Sequence, residues 1–168
     1  MTPDKAIIDL VTRLGEVLRE RGWSVACAES CTGGGVAYAF TSVAGSSDWF
    51  NQSWVTYSNE AKMRELGVAS STLNTVGAVS QKTVEEMATG VRKKSAAEAV
   101  VTVSGIAGPG GGSKDKPVGT VWFGFLAGEN AQQVKQIFSG DRIAVREQAI
   151  QFAITHLYKM ITENRLEK

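Results

Sequence analysis

Two residues of this chain have the types needed to cut an amide without a metal. Ser30 lies in Glu29-Ser30-Cys31-Thr32-Gly33-Gly34-Gly35, and Lys62 ends the run Val55-Thr56-Tyr57-Ser58-Asn59-Glu60-Ala61-Lys62. A serine hydroxyl becomes a nucleophile when a neighbouring base takes its proton. The chain has one histidine, His156, beside core-facing Leu157 in an amphipathic stretch, and it reads as structural. A desolvated lysine is the next available base. Lys62 falls three residues past Asn59, the expected N-cap of a short helix ending near Leu66. A cation in a first helical turn opposes the helix dipole, which favours the neutral amine. A solvated surface lysine is the plainer reading of the same spacing. Ser30 also carries two readings, a nucleophile or a helix N-cap. If it is the nucleophile, the backbone N–H groups of Thr32, Gly33 and Gly34 are placed to form an oxyanion hole. The turn follows the logic of a nucleophile elbow but lacks G-x-S-x-G. Cys31 adjoins it without a histidine to activate the thiol. The C-x3-C spacing of Cys27 and Cys31 matches no common zinc site.

A second small-residue loop runs Ser104-Gly105-Ile106-Ala107-Gly108-Pro109-Gly110-Gly111-Gly112. Eight of the 18 glycines lie in these two loops, so the glycine excess is local. Glycine lets backbone N–H groups approach an anion closely. The second loop has no lysine in the P-loop position, which argues against an ATPase and leaves a phosphate nest. Arg142, in Ser139-Gly140-Asp141-Arg142, has the fork geometry for a phosphate, with Asp141 and Glu147 as competing partners. Lys116 is read either as a charge returned to the site or as part of an ordinary turn.

Both loops must be carried by strands. Val11, Leu14 and Leu18 recur at helical spacing up to Gly22, and the apolar run Trp23 to Ala28 predicts a buried strand before Ser30. A helix follows to about Ala44, then a strand over Gln52 to Ser58, a loop over Ser70 to Gly77 and a helix from Ser80 to about Lys94. Glu98 to Ser104 reads as a strand, Val118 to Ala127 and Gln132 to Ser139 as a hairpin, and Ile143 to Asn164 as one long helix. The alternation predicts one domain over residues 1–168: a three-layer α/β/α sandwich with a mixed, mainly parallel sheet. Ligands in such folds bind beyond the carboxyl ends of the strands, where both glycine loops fall.

Composition narrows the partners. A net charge of +1 makes no field that gathers nucleic acid, and the cluster Arg92-Lys93-Lys94 falls where cations complement a helix end. No apolar run has membrane-spanning length, and the start Met1-Thr2-Pro3-Asp4-Lys5 lacks the features of a signal peptide. These points predict a cytoplasmic protein with a small-molecule partner. The cluster Trp49, Phe50 and Trp54 reads as core or as a subunit contact, and a homo-oligomer, a dimer first, is expected.

Six motifs in order carry a resemblance along nearly the whole chain. They are Ala28 to Gly34, Thr56 to Lys62, Gly77-Ala78-Val79-Ser80, Ser104 to Pro109, Lys116 to Val121 and Gly140-Asp141-Arg142. In these the chain resembles the CinA C-terminal domain family, in its stand-alone nicotinamide-nucleotide amidase branch. The resemblance implies hydrolysis of the carboxamide of nicotinamide mononucleotide to nicotinate mononucleotide and ammonia, in pyridine-nucleotide recycling, with no cofactor. It implies a serine–lysine mechanism: Ser30 attacks, Lys62 takes the proton and Tyr57 positions or relays it. On this reading Thr32, Gly33 and Gly34 serve the oxyanion, while Ser104, Gly105, Gly108 and Arg142 hold the nucleotide. Ser104 departs from the threonine of many relatives but keeps the hydroxyl. The competing expectation is a non-catalytic mononucleotide-binding or regulatory protein using the same loops.

Overall fold

The computed structural model describes residues 3–163. Met1, Thr2 and the expected helix end at Asn164 therefore lie outside the described residues. Helix α1 (Lys5–Arg21) is opened by the Asp4 carboxylate, which accepts from the Ile7 N–H, and is closed by left-handed Gly22. Strand β1 (Val25–Glu29) leads through the Ser30 turn to α2 (Gly35–Thr41). A 3-10 turn (Ser46–Asp48) precedes β2 (Phe50–Val55). Then follow α3 (Asn59–Leu66), α4 (Ser70–Thr75) and α5 (Gln81–Ser95). Strand β3 (Ala99–Gly105), the hairpin β4 (Thr120–Ala127) and β5 (Asn130–Ile137), and α6 (Arg142–Glu163) complete the chain.

The five strands lie in the order β2-β1-β3-β4-β5. β1 pairs in parallel with β2 and β3, while β4 is antiparallel to both β3 and β5. Four of the five strands therefore point one way, as a mainly parallel mixed sheet requires. The chain leaves β1 toward β2 and leaves β3 toward β4, so the connections diverge between β1 and β3. In an open α/β sheet that divergence opens a crevice at the carboxyl ends of the two strands.

Alternating side chains of the central strands feed two cores. Val25, Cys27, Val101, Val103, Phe123 and Phe125 pack with α1, α2 and α6 on one face, and Ala26, Ala28 and Val100 pack with α3 and α5 on the other. Burial on both faces explains why β1 and β3 read as continuous apolar runs instead of alternating ones. Trp49 is buried against Phe40, Phe50 packs on the same ring, and Trp54 packs on the opposite core. Trp49 is thus core, while Phe50 and Trp54 are half-buried on the edge strand β2. Arg92 donates to the carbonyls of Ala97, Glu98 and Gly128, tying the end of α5 to the sheet. His156 contacts the Gln132 amide oxygen and packs on Phe125 and Phe152, a structural placement as expected.

Several boundaries differ from the expectations. Ser70 to Thr75 is helical, because Ala69 N–H and the Thr72 hydroxyl bind the Glu86 carboxylate and draw the segment onto α5. β2 ends at Val55, so Thr56 and Tyr57 form a loop that turns toward Ser30. The N-cap of α3 is Ser58, whose hydroxyl accepts from the Ala61 N–H, and Asn59 is the first helical residue. The two-residue turn Gly128-Glu129 closes the hairpin, with Ala127 paired to Asn130.

Candidate active site

Ser30 stands at the carboxyl end of β1, its N–H tied to the Val103 carbonyl of β3 at 3.0 Å. Lys62 comes from the first turns of α3, at the carboxyl end of β2, and is 1% exposed. Its Nζ lies 3.2 Å from Ser30 Oγ, 2.8 Å from the Thr56 carbonyl and 3.2 Å from the Tyr57 carbonyl. All three partners are oxygens that can accept, so the ammonium can donate to each, while the neutral amine keeps two N–H donors and gains a lone pair. The Ser30 hydroxyl donates to the Tyr57 carbonyl at 3.4 Å, and in the neutral form of Lys62 the lone pair becomes the alternative acceptor for that O–H.

The electrostatics agree. Burial pushes the Lys62 ammonium down from its ordinary 10.5 to about 8, with only a weak opposing pull from Cys31. Desolvation, and not the helix dipole invoked from the sequence, is the leading cause. No carboxylate pairs with the amine among the described residues, so no ion pair offsets the cost of burying its charge. Cys31 behaves oppositely: burial, with help from the Glu29 charge, pushes its thiol up to about 11. That keeps it protonated and poorly nucleophilic near neutral pH.

A cleft of about 280 Å³ opens beside the pair. Its lining includes Ser30, Cys31, Tyr57 and Lys62 together with Ala78, Val79, the loop from Ser104 to Gly111 and Arg142. The glycine loop holds its course because the Ile106 N–H donates to the Thr120 carbonyl and the Ile106 carbonyl accepts from the Gly119 N–H. Gly108 adopts φ +84°, and a Cβ there would meet Val118 Cγ1 at 2.5 Å, so both backbone and packing demand glycine. Arg142 opens α6 and spans the cleft mouth, donating to the Gly108 carbonyl at 2.7 Å and to the Tyr57 hydroxyl at 3.2 Å. It pairs with neither Asp141 nor Glu147; Asp141 instead caps α6 by accepting from the Ala144 N–H.

Some expected residues are placed differently. Tyr57 meets the pair through its main-chain carbonyl, while its phenol hydrogen-bonds Arg142. Thr32, Gly33 and Gly34 line a neighbouring depression with Tyr38 and Arg146, outside the Ser30 cleft. The Gly33 N–H is already spent on the Ser30 carbonyl at 2.9 Å. Lys116 donates to the Val76 carbonyl and faces another groove.

Two residues escaped the sequence reading. Glu29 is completely buried and accepts from the Thr32 hydroxyl and from the N–H groups of Val36 and Ala37. It therefore occupies the start of α2, where the glycine turn alone pointed to a free anion site. An acid ending a buried apolar strand was the signal. Arg146, one helical turn beyond Arg142, donates to the carbonyls of Cys31 and Thr32. Its spacing from Arg142 was legible, but its reach to a turn more than a hundred residues away was not. Among the described residues no group of three or more histidine, cysteine, aspartate or glutamate side chains is arranged to hold a metal ion. No helix among them is long and apolar enough to cross a membrane.

The comparisons fit this geometry. The model of the CinA C-terminal domain matches residues 8–161. The nicotinamide-nucleotide amidohydrolase PncC of Enterobacter agglomerans is 52% identical over 163 residues, covering 96% of this chain and 99% of that protein. The protein of the same name from Escherichia coli K12 is 49% identical over 163 residues, covering 96% and 98%. The crystal structure of competence damage-inducible protein A from Klebsiella pneumoniae superposes with a TM-score of 0.89 at 35% identity, covering 93% of this chain and 97% of that one. A serine–lysine cleft between β1 and β3, a match over nearly all of the domain and relatives half identical from end to end make this chain a member of the CinA C-terminal domain family.

Proposed function

We propose that the protein hydrolyses the carboxamide of nicotinamide mononucleotide to nicotinate mononucleotide and ammonia, through Ser30 and Lys62. The observation that carries the mechanism is the 3.2 Å contact between Ser30 Oγ and a buried Lys62 amine whose two other contacts are carbonyls. The relatives named nicotinamide-nucleotide amidohydrolase support the substrate.

Neutral Lys62 takes the Ser30 proton as Oγ bonds to the amide carbon, and the carbonyl π pair moves onto oxygen. When the tetrahedral adduct collapses, the Lys62 ammonium passes the proton to the leaving nitrogen, and ammonia departs from an acyl-Ser30 ester. Water then attacks that ester, giving its proton to Lys62, and the carboxylic acid leaves as Ser30 recovers its proton. One water is consumed and one ammonia released. The Thr56 and Tyr57 carbonyls hold the amine throughout and stabilise its transient ammonium form.

Ser104, Gly105, Gly108 and Arg142 share the cleft with this pair and are assigned to the nucleotide, with the Arg142 guanidinium on the phosphate. In the free protein Arg142 is parked on the Gly108 carbonyl and the Tyr57 hydroxyl, neutral acceptors that a phosphate dianion outcompetes. A cytoplasmic location and a homo-oligomer, a dimer first, belong to the same proposal; light scattering in solution reads the assembly. Ammonia release from nicotinamide mononucleotide tests the function directly. Ser30→Ala should abolish release while still binding the nucleotide, and saturable binding without ammonia from the unsubstituted protein would favour a non-catalytic binding role.

A further inference from the structure

The turn after Ser30 is held from outside the cleft by a residue of α6. Arg146 Nε donates to the Cys31 carbonyl at 3.0 Å, and its Nη2 donates to the Thr32 carbonyl at 3.4 Å. Arg146 itself lines the neighbouring depression and not the Ser30 cleft. In a trans peptide the carbonyl and the N–H of the next residue point in opposite directions. Fixing the Cys31 carbonyl on Arg146 therefore turns the Thr32 N–H away from α6. The Ser30 carbonyl is fixed in the same manner by the Gly33 N–H, which sets the direction of the Cys31 N–H. Among the described residues the Cys31 N–H meets only its own thiol, a weak acceptor, and the Thr32 N–H has no hydrogen-bond acceptor, although both residues are buried. Buried N–H groups are rarely left unpaired without a reason.

We infer that Arg146 is a positioning residue whose two carbonyl contacts fix the peptide planes of the turn after Ser30, so that the N–H of Cys31, the turn residue that lines the cleft beside Ser30, serves as the oxyanion donor. The inference rests on the serine-hydrolase reading above, but not on the identity of the substrate. It places the donor on the residue that follows the nucleophile, since Thr32 lines the neighbouring depression and the Gly33 N–H is engaged. Glu29 braces the same turn from beneath by accepting the Thr32 hydroxyl at 2.6 Å. The guanidinium fork suits this task because two adjacent carbonyls need two donors at a fixed angle. The oxyanion charge develops only in the transition state, so a misaligned donor lowers kcat and leaves ground-state binding intact.

The test is steady-state kinetics of Arg146→Ala and Arg146→Lys with nicotinamide mononucleotide, alongside the burst of 4-nitrophenol from 4-nitrophenyl acetate, which reads acylation of Ser30. The alanine variant should lose about 10²-fold in kcat. Its KM should stay within about threefold, as expected when only transition-state contacts are lost. The midpoint of its pH–rate profile should match the unsubstituted protein, because Lys62 is untouched. Added guanidinium should restore part of the lost kcat, and the lysine variant, with one compact donor group, should fall between. Unchanged kcat would overturn the inference, as would a raised KM at full kcat or no rescue in a variant that melts at the unsubstituted temperature. If the alanine variant does not fold, the lysine variant is read by the same split between kcat and KM. If the unsubstituted protein releases no ammonia, the substrate assignment fails, and the acylation burst still decides the role of Arg146.

Discussion

The titration of Lys62 is the sharpest handle on this site. At pH 7 an amine with a pKa of about 8 is neutral in roughly one molecule in ten, against roughly one in 3,000 for an unperturbed lysine. Burial alone thus raises the population of competent base by about 300-fold. If the neutral amine is the base, kcat/KM should rise about tenfold per pH unit below 8 and level off above it. Lys62→Met keeps the buried stem and removes the lone pair, so it should lose roughly 10²- to 10⁴-fold in rate along with the pH dependence. The same shift governs stability, with a definite sign. Between about 8 and 10.5 the unfolded chain holds the proton and the folded chain does not, so folding grows more favourable as pH rises through that window. Relative to Lys62→Met, the unsubstituted protein should gain about 2 kcal/mol between pH 8 and 10. Coupled ammonia release from pH 6 to 10 and urea unfolding at both ends of the window measure the two effects. A flat rate profile in the unsubstituted protein, or an identical sloping profile in Lys62→Met, would refute the neutral-lysine argument.

Two further substitutions probe how the site is held. Tyr57→Phe removes a hydroxyl bonded to Arg142 and not to Ser30 or Lys62, so kcat should change by less than about tenfold, well short of the loss expected for a proton relay; steady-state kinetics decide between the two. Gly90→Ala places a methyl on the Leu66 carbonyl at the end of α3, the helix that carries Lys62. The overpacking should cost about 1–3 kcal/mol despite the better helix propensity of alanine, and kcat/KM should fall with it. Chemical denaturation checks the sign, and a stabilised variant would mean that the α3–α5 contact is looser than described.

The chain's local chemistry was legible because it is written in short-range signals. Asp4 and Gly22 bound α1, Ser80 caps α5, and the turn after Ala127 joins paired strands, each through a contact spanning a few residues. The apolar runs before Ser30 and through Val103 marked strands buried on both faces, and the divergence of their connections put both glycine loops at one crevice. The α4 helix was missed because Glu86, more than ten residues downstream, is what stabilises it.

Sequence alone supplied Ser30 and Lys62 as the residue types able to attack an amide, along with the ordered motifs of the family. It could not decide that Lys62 is buried, since burial of an amine on a polar octapeptide depends on α3 docking against α5 and on the Thr56–Tyr57 loop supplying its acceptors. Nor could it show that Glu29 fills the start of α2 while Arg146 grips the turn from the last helix. Those contacts join segments far apart in the chain, and propensity or spacing reports nothing about which distant donors and acceptors a folded sheet brings within 3 Å.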